Sequence, residues 1–161
     1  MIRTAILIIL MSIVVSCNHT TGSLTTKQIS DVQDSVRVLT DSIAKNISLE
    51  GPVAWLRYFE NSPDFFMAAD GQLVFPNIDS AKNFITNTLV KTYRNIQLHW
   101  SNMRITPVTS QFALVGAGYH EDITYSDGKK LSTDGYFTGA AHQTDQGWKL
   151  QNAHWSSITT H

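Results

Sequence analysis

The last third of the chain, residues 111–157, narrows the fold most. Three runs rich in apolar residues, QFALVGAGYHEDITY, LSTDGYFTGAAHQ and WKLQNAHWSS, are separated there by SDGKK and TDQG. Such runs, bounded by Asp, Gly and Ser, predict three long strands joined as hairpins. A sheet of this size must bury one face against another layer, and the rest of the chain has to provide it. Gly116, Gly118, Gly135 and Gly139 fall inside the strands. Glycine there marks bulges and bends, which let a sheet curl around an interior.

The preceding residues read as that second layer. Over 27–46, Ile29, Val32, Val36, Leu39, Ile43 and Ile47 step by three or four, one apolar stripe of a helix. Thr25 and Gln28 stand at capping-box spacing ahead of it. Gly51-Pro52 then opens a short helix through Phe59 that is apolar almost all round. Asp70-Gly71 predicts a tight hairpin between 65–69 and 72–75; Asp64, just ahead, reads as a turn residue. A third helix is expected over 80–93, capped by Asn77 or Asp79. From Asn95 the period becomes two: Ile96, Leu98, Trp100 and Asn102 share one face, His99 the other, and Pro107 is expected to interrupt the strand. A chain of 161 residues with this order predicts a single α+β domain.

The N-terminus reads differently. Arg3 and an apolar run from Ala5 to Ile13 have the make-up of a signal peptide and are too short to span a bilayer. The run ends in Val14-Val15-Ser16-Cys17, which resembles the lipobox of bacterial lipoproteins. That resemblance implies a leader over 1–16, lipid on Cys17, a tether over 17–26 and a domain over 27–157. The expected location is the cell envelope, facing the periplasm and held to a membrane by the lipid. Cys17 is the sole cysteine, which excludes an internal disulfide or a cysteine-based site in the fold. A net charge of −1 without a basic run gives no footprint for nucleic acid.

Two stretches, Asp134-Gly135-Tyr136-Phe137-Thr138-Gly139 and Gly147-Trp148-Lys149-Leu150 with His154 and Ser156, resemble the SnoaL-like branch of the NTF2-like superfamily (nuclear transport factor 2, ketosteroid-isomerase-like). The element order resembles it too. The resemblance implies a cone: a strongly curved antiparallel sheet closed by about three N-terminal helices. Its members include isomerases, cyclases, dehydratases and binding proteins, and no catalytic set of theirs maps onto this chain.

Strand alternation assigns the faces. Reading β-period straight through the last strand puts Trp148, Leu150, Asn152, His154 and Ser156 inward and Trp155 outward, where it would offer a dimer surface. Asp134, Tyr136, Thr138 and His142 share a face; both faces of 112–125 are partly apolar, so alternation leaves that strand open, and Tyr119 is favoured inward because it continues Ala113, Val115 and Ala117. The ligand-binding candidates are therefore Trp55, Tyr58, Phe59, Phe66, Trp100, Tyr119, Tyr136 and His154, around a small apolar or aromatic molecule. His154, Asp134 and Tyr136 are the catalytic candidates, as base or hydrogen-bond donor. The histidines show no metal-ligand spacing, so neither a metal nor another cofactor is expected. His120-Glu121-Asp122 reads as a polar rim. Three functions remain open: a lipid-anchored binding domain, a proton-transfer enzyme (isomerase, dehydratase or cyclase type) using the same pocket, or an accessory protein forming a homodimer through the outer sheet face.

Overall fold

The structure is a computed structural model that describes residues 23–158. The expected leader, Cys17 and most of the tether lie outside the described residues.

Helix α1, Thr26–Glu50, starts at the expected capping box. The Thr25 hydroxyl accepts the Gln28 N–H at 3.2 Å, and Gln28 Oε1 accepts the Thr25 N–H at 2.9 Å. Two otherwise orphaned donors are thereby satisfied. Val32, Val36, Leu39, Ile43 and Ile47 are buried, and only Ile29 of the predicted stripe stays exposed. The helix ends at Gly51, whose φ of 78° suits glycine. A 3₁₀ turn, Pro52–Arg57, follows and buries Trp55.

Strands β1 (Phe66–Ala69) and β2 (Gln72–Phe75) form the hairpin. Asp70 and Gly71 both take positive φ, 47° and 81°, as a primed two-residue turn requires. Helix α2 (Ile78–Phe84) is capped by the Asn77 side chain and runs on through a π-helical turn, Ile85–Leu89, and a last turn, Val90–Thr92. Strands β3 (Tyr93–Thr109), β4 (Phe112–Tyr125), β5 (Lys130–Thr144) and β6 (Gly147–Ser157) complete the chain.

One curved, unclosed sheet contains all six strands in the order β2-β1-β6-β5-β4-β3. Neighbours are antiparallel except β1 and β6, which run parallel. Pro107 does not interrupt β3: it pairs with Ala113 inside the ladder. β3 is an edge strand, where a missing N–H costs no ladder bond on the open side.

α1 lies across the concave face and is tied to β3 by polar contacts. Trp100 Nε1 donates to the Thr40 carbonyl at 2.9 Å, and Gln33 Nε2 to the Ile105 carbonyl at 3.1 Å. Between helix and sheet the rings interlock around Trp155. Its centroid lies 4.8 Å from Phe137, 4.9 Å from Tyr119, 5.3 Å from Trp55 and 5.6 Å from Trp100. These are edge-to-face and offset separations of the kind that stabilise aromatic pairs beyond their buried area.

Trp155 therefore points inward, against the sequence expectation, and the reason is a β-bulge. Ala140 pairs with Asn152 but Ala141 with Leu150, so Gln151 is an extra residue in β6. One inserted residue shifts the alternation by one. Leu150 is inward before it, Ala153 and Trp155 after it. His154 and Ser156 are carried to the convex face, and on β5 Phe137 is buried while Tyr136 is 45% exposed. The inward placement expected for His154 and Tyr136 is thus reversed.

Facing can be checked by stability. Trp155→Ala should cost about 3–5 kcal/mol in urea unfolding, the loss of a large core ring, whereas Tyr136→Ala should stay within about 1 kcal/mol. Equal costs for the two would contradict this arrangement.

Candidate functional site at the concave mouth

Four of the eight residues expected to line a pocket meet on the concave side: Trp55, Phe59, Trp100 and Tyr119. They pack against one another, Phe137 and Trp155, so the deep part of the cone is filled by the protein's own rings. Tyr58 is partly buried, its hydroxyl bonded to the Asn46 side chain and the Ser42 carbonyl. Phe66, Tyr136 and His154 belong to the convex face, where His154 is the register partner of Thr138 and Ala68. Asp134 is there too. It accepts from His120 Nδ1 at 2.9 Å, a bond that raises the His120 pKa. Asp122 and Ser132 flank the other ring nitrogen at 3.4 and 3.3 Å. Among the described residues no group of three side chains could hold a metal ion.

What remains on the concave side is its mouth, at the end where β4 approaches Tyr125. Tyr119, Glu121 and Ile123 alternate inward there, while His120 and Asp122 point out. The predicted polar rim is therefore split, and its middle residue belongs to the interior. Glu121 is partly buried and makes no side-chain hydrogen bond or ion pair among the described residues. Burial away from water pushes its carboxyl up to about 7, because desolvation penalises the charged form. Strand alternation from Tyr119 was the sequence signal that could have found it.

Beside it, the Tyr119 hydroxyl lies 3.2 Å from Ser157 Oγ. Ser157 Oγ also lies 3.4 Å from an Asp70 carboxylate oxygen, and the Ser157 N–H donates to the other at 2.7 Å. A carboxylate only accepts, so the serine hydrogen goes to Asp70 and Tyr119 donates to Ser157. Desolvation keeps the Tyr119 pKa above its ordinary value, outweighing that bond. Gly135 makes room for the ring: a Cβ there would strike both Tyr119 and the Ser156 carbonyl oxygen. The hairpin turn and the end of β6 thus converge on the Tyr119 phenol through Asp70 and Ser157, and Glu121 follows two residues along the same face of β4.

No protein-family model matches the chain, and no curated protein matches it. Solved structures do. An NTF2-like superfamily protein from Salmonella enterica serovar Typhimurium str. LT2 aligns with a TM-score of 0.69 and 19% identity, over 81% of this chain and 94% of that one. The chain has the NTF2-like fold. A scytalone dehydratase-like protein from Novosphingobium aromaticivorans DSM 12444 aligns with a TM-score of 0.74 and 14% identity, over 84% and 89% of the two chains. A hexachlorocyclohexane dehydrochlorinase from Novosphingobium barchaimii LL02 aligns at 0.68 and 9%, over 84% and 92%. At these identities the likeness is one of fold.

The raised Glu121 pKa has a thermodynamic sign. The folded state holds the proton more tightly than the unfolded chain, so this stabilisation is complete below the ordinary value of 4.5 and lost as pH rises through about 7. Glu121→Gln should therefore leave stability nearly unchanged at low pH and raise it above pH 7, by about 1–3 kcal/mol given partial exposure. Chemical unfolding of both proteins across that range is the measurement; parallel pH profiles would refute the assignment.

Proposed function

We propose that this is a lipid-anchored, envelope-facing domain that binds a small, partly apolar molecule at the concave mouth of its sheet. One observation carries the proposal: an inward-facing carboxyl, Glu121, without a partner among the described residues, two residues along the same strand face from Tyr119 and the aromatic interior. The rings offer a flat apolar surface, and the carboxyl and phenol fix a ligand's polar end. The eight-residue pocket expected from the sequence shrinks to this mouth, because the deeper space is already packed.

The same geometry favours proton-transfer chemistry as a second reading. A carboxyl with a pKa near 7 is suited to take a proton at neutral pH and to give it back. Tyr119 can stabilise negative charge developing on a ligand oxygen. Neighbours named for dehydration and dehydrochlorination support an elimination in which a base removes a proton and a leaving group departs. Glu121 takes the base role here, in place of His154 and Asp134.

Phenols of graded acidity test the site, with quenching of the interior tryptophans as the signal. A phenol donates to ionised Glu121, so affinity should rise with pH through about 7. Glu121→Gln should weaken binding about 10-fold and abolish that pH dependence. Quenching that is identical in the variant would sink the proposal.

Anchoring and association belong to the same reading. The lipid on Cys17 holds the domain to a membrane, and the convex face, with Phe66, Leu114 and Tyr136 exposed, pairs with a second copy. Cys17→Ser should move the protein from the membrane to the soluble fraction. That soluble form should sediment as a dimer which Leu114→Glu splits; a monomer from the outset refutes the association.

A further inference from the structure

Three hollows adjoin where α1 meets the β5–β6 turn, near the Phe112 end of β4 and away from Glu121. The first, about 680 Å³, is lined by Glu60, Asn61, His142, Asp145, Gln146 and Lys149 among others. The second, about 410 Å³, shares Gln146 and Lys149 with it. The third, about 300 Å³, shares Ser35 and Trp148 with the second. Common walls make the three one groove, longer than a single small molecule needs.

Trp148 stands at its centre. Trp55, Trp100 and Trp155 interlock in the core; Trp148 packs on that core while also lining the second and third hollows. An aromatic ring held from behind is a pre-organised platform, which lowers the ordering cost of binding. Around it, Asn61, Asp145 and Gln146 are exposed and their side chains bond to no other side chain or backbone group among the described residues. Deeper in the first hollow Glu60 is only 8% exposed, and its Oε2 is buried without a partner among the described residues. Glu60 Oε1 holds His142 Nδ1 at 3.1 Å, which leaves Nε2 as the ring's free hydrogen-bonding atom.

Charge narrows the occupant. Arg57 is bonded twice to Glu50, at 2.6 and 2.7 Å. Lys149 donates to the Arg57 carbonyl at 2.6 Å, with Asp145 and Glu60 in the same hollow. Asp31, in the third hollow, is paired with Lys27. The cations are matched by acids, so no one-sign field selects a polyanion or a polycation. The polar first hollow does not suit a wholly apolar ligand, while Val38, Leu39 and Trp148 give the second hollow apolar faces. An uncharged chain with many hydroxyls and apolar C–H faces matches both features: hydroxyl pairs suit the planar amides and carboxylates, and C–H faces suit the indole.

We propose that this groove binds a carbohydrate chain, with Trp148 as the stacking platform and the Glu60–His142 pair and Gln146 as hydrogen-bonding partners. The probes are cellohexaose, maltohexaose and hexa-N-acetylchitohexaose, each added at millimolar concentration to the isotope-labelled described domain joined to its native C-terminus. Amide and indole N–H shifts provide the readout. At least one sugar should move the Trp148 indole and the Gln146 side-chain amide. Trp148→Ala should weaken that binding by about 10-fold or more. Ser35→Arg, on the exposed surface of α1, should do the same by filling the groove while leaving the core untouched. No shifts with any of the three sugars overturns the proposal. So do shifts that survive both substitutions, or that centre on Glu121 instead.

Discussion

The indole of Trp155 is the point at which the layers of this protein meet. It touches rings from the 3₁₀ turn (Trp55), β3 (Trp100), β4 (Tyr119) and β5 (Phe137), and so fixes four elements relative to β6. Its own Nε1 is buried without an acceptor among the described residues. An orphaned donor is costly in a core, and around this one the Trp55 and Tyr119 rings stand edge-to-face with the indole at 5.3 and 4.9 Å. What holds the indole is ring packing, and the packing follows from the bulge at Gln151. Without that inserted residue Trp155 would face solvent and the concave side would lose its hub.

The bulge also explains which parts of the fold were legible in the sequence. Helix α1 was readable because its cap and its apolar stripe are both local signals, and both proved sound. The Asp70-Gly71 hairpin and the order of the long strands were readable for the same reason. For β4 alternation alone leaves the facing open, since both faces are partly apolar; the inward side is the row Ala113, Val115, Ala117 and Tyr119, kept in step by an unbroken register against β5. β6 was misread because alternation counts residues and cannot see an extra one. A shift of one exchanged His154 for Trp155. The parallel pairing of β1 with β6 had no local signature either, since nothing in a four-residue strand states which long strand it joins.

The same exchange relocated the candidate chemistry. Histidine and aspartate drew notice in the sequence as residue types, yet Asp134, His120 and Asp122 spend their hydrogen bonds on one another on the convex face. Glu121 drew little notice, standing between two polar neighbours. Its environment rather than its type makes it interesting: the strand turns it toward an interior that offers it no partner. A carboxyl satisfied by a salt bridge would be stable and inert at neutral pH. One that is desolvated and unpaired is less stabilising and can exchange a proton.

A cone filled to its depth has consequences for where ligands can sit. Trp55, Trp100 and Trp155 pack the space between α1 and the middle of the sheet, so the proposed ligands are assigned to the two ends of β4. At one end Tyr119 and the partly buried Glu121 face the interior beside the Ser157–Asp70 hydrogen bonds. At the other, the helix and the β5–β6 turn part to form a long, charge-balanced groove around Trp148. The packed rings between them join the two ends rigidly, because interiors at native density transmit displacement instead of absorbing it. A ligand that shifted Trp148 against the core would press on the layer that also positions Tyr119, through Leu150 and Trp155 on the same strand. The aromatic core that fills the pocket expected from the sequence is thus also the physical link between the two ends of the sheet where ligands are proposed.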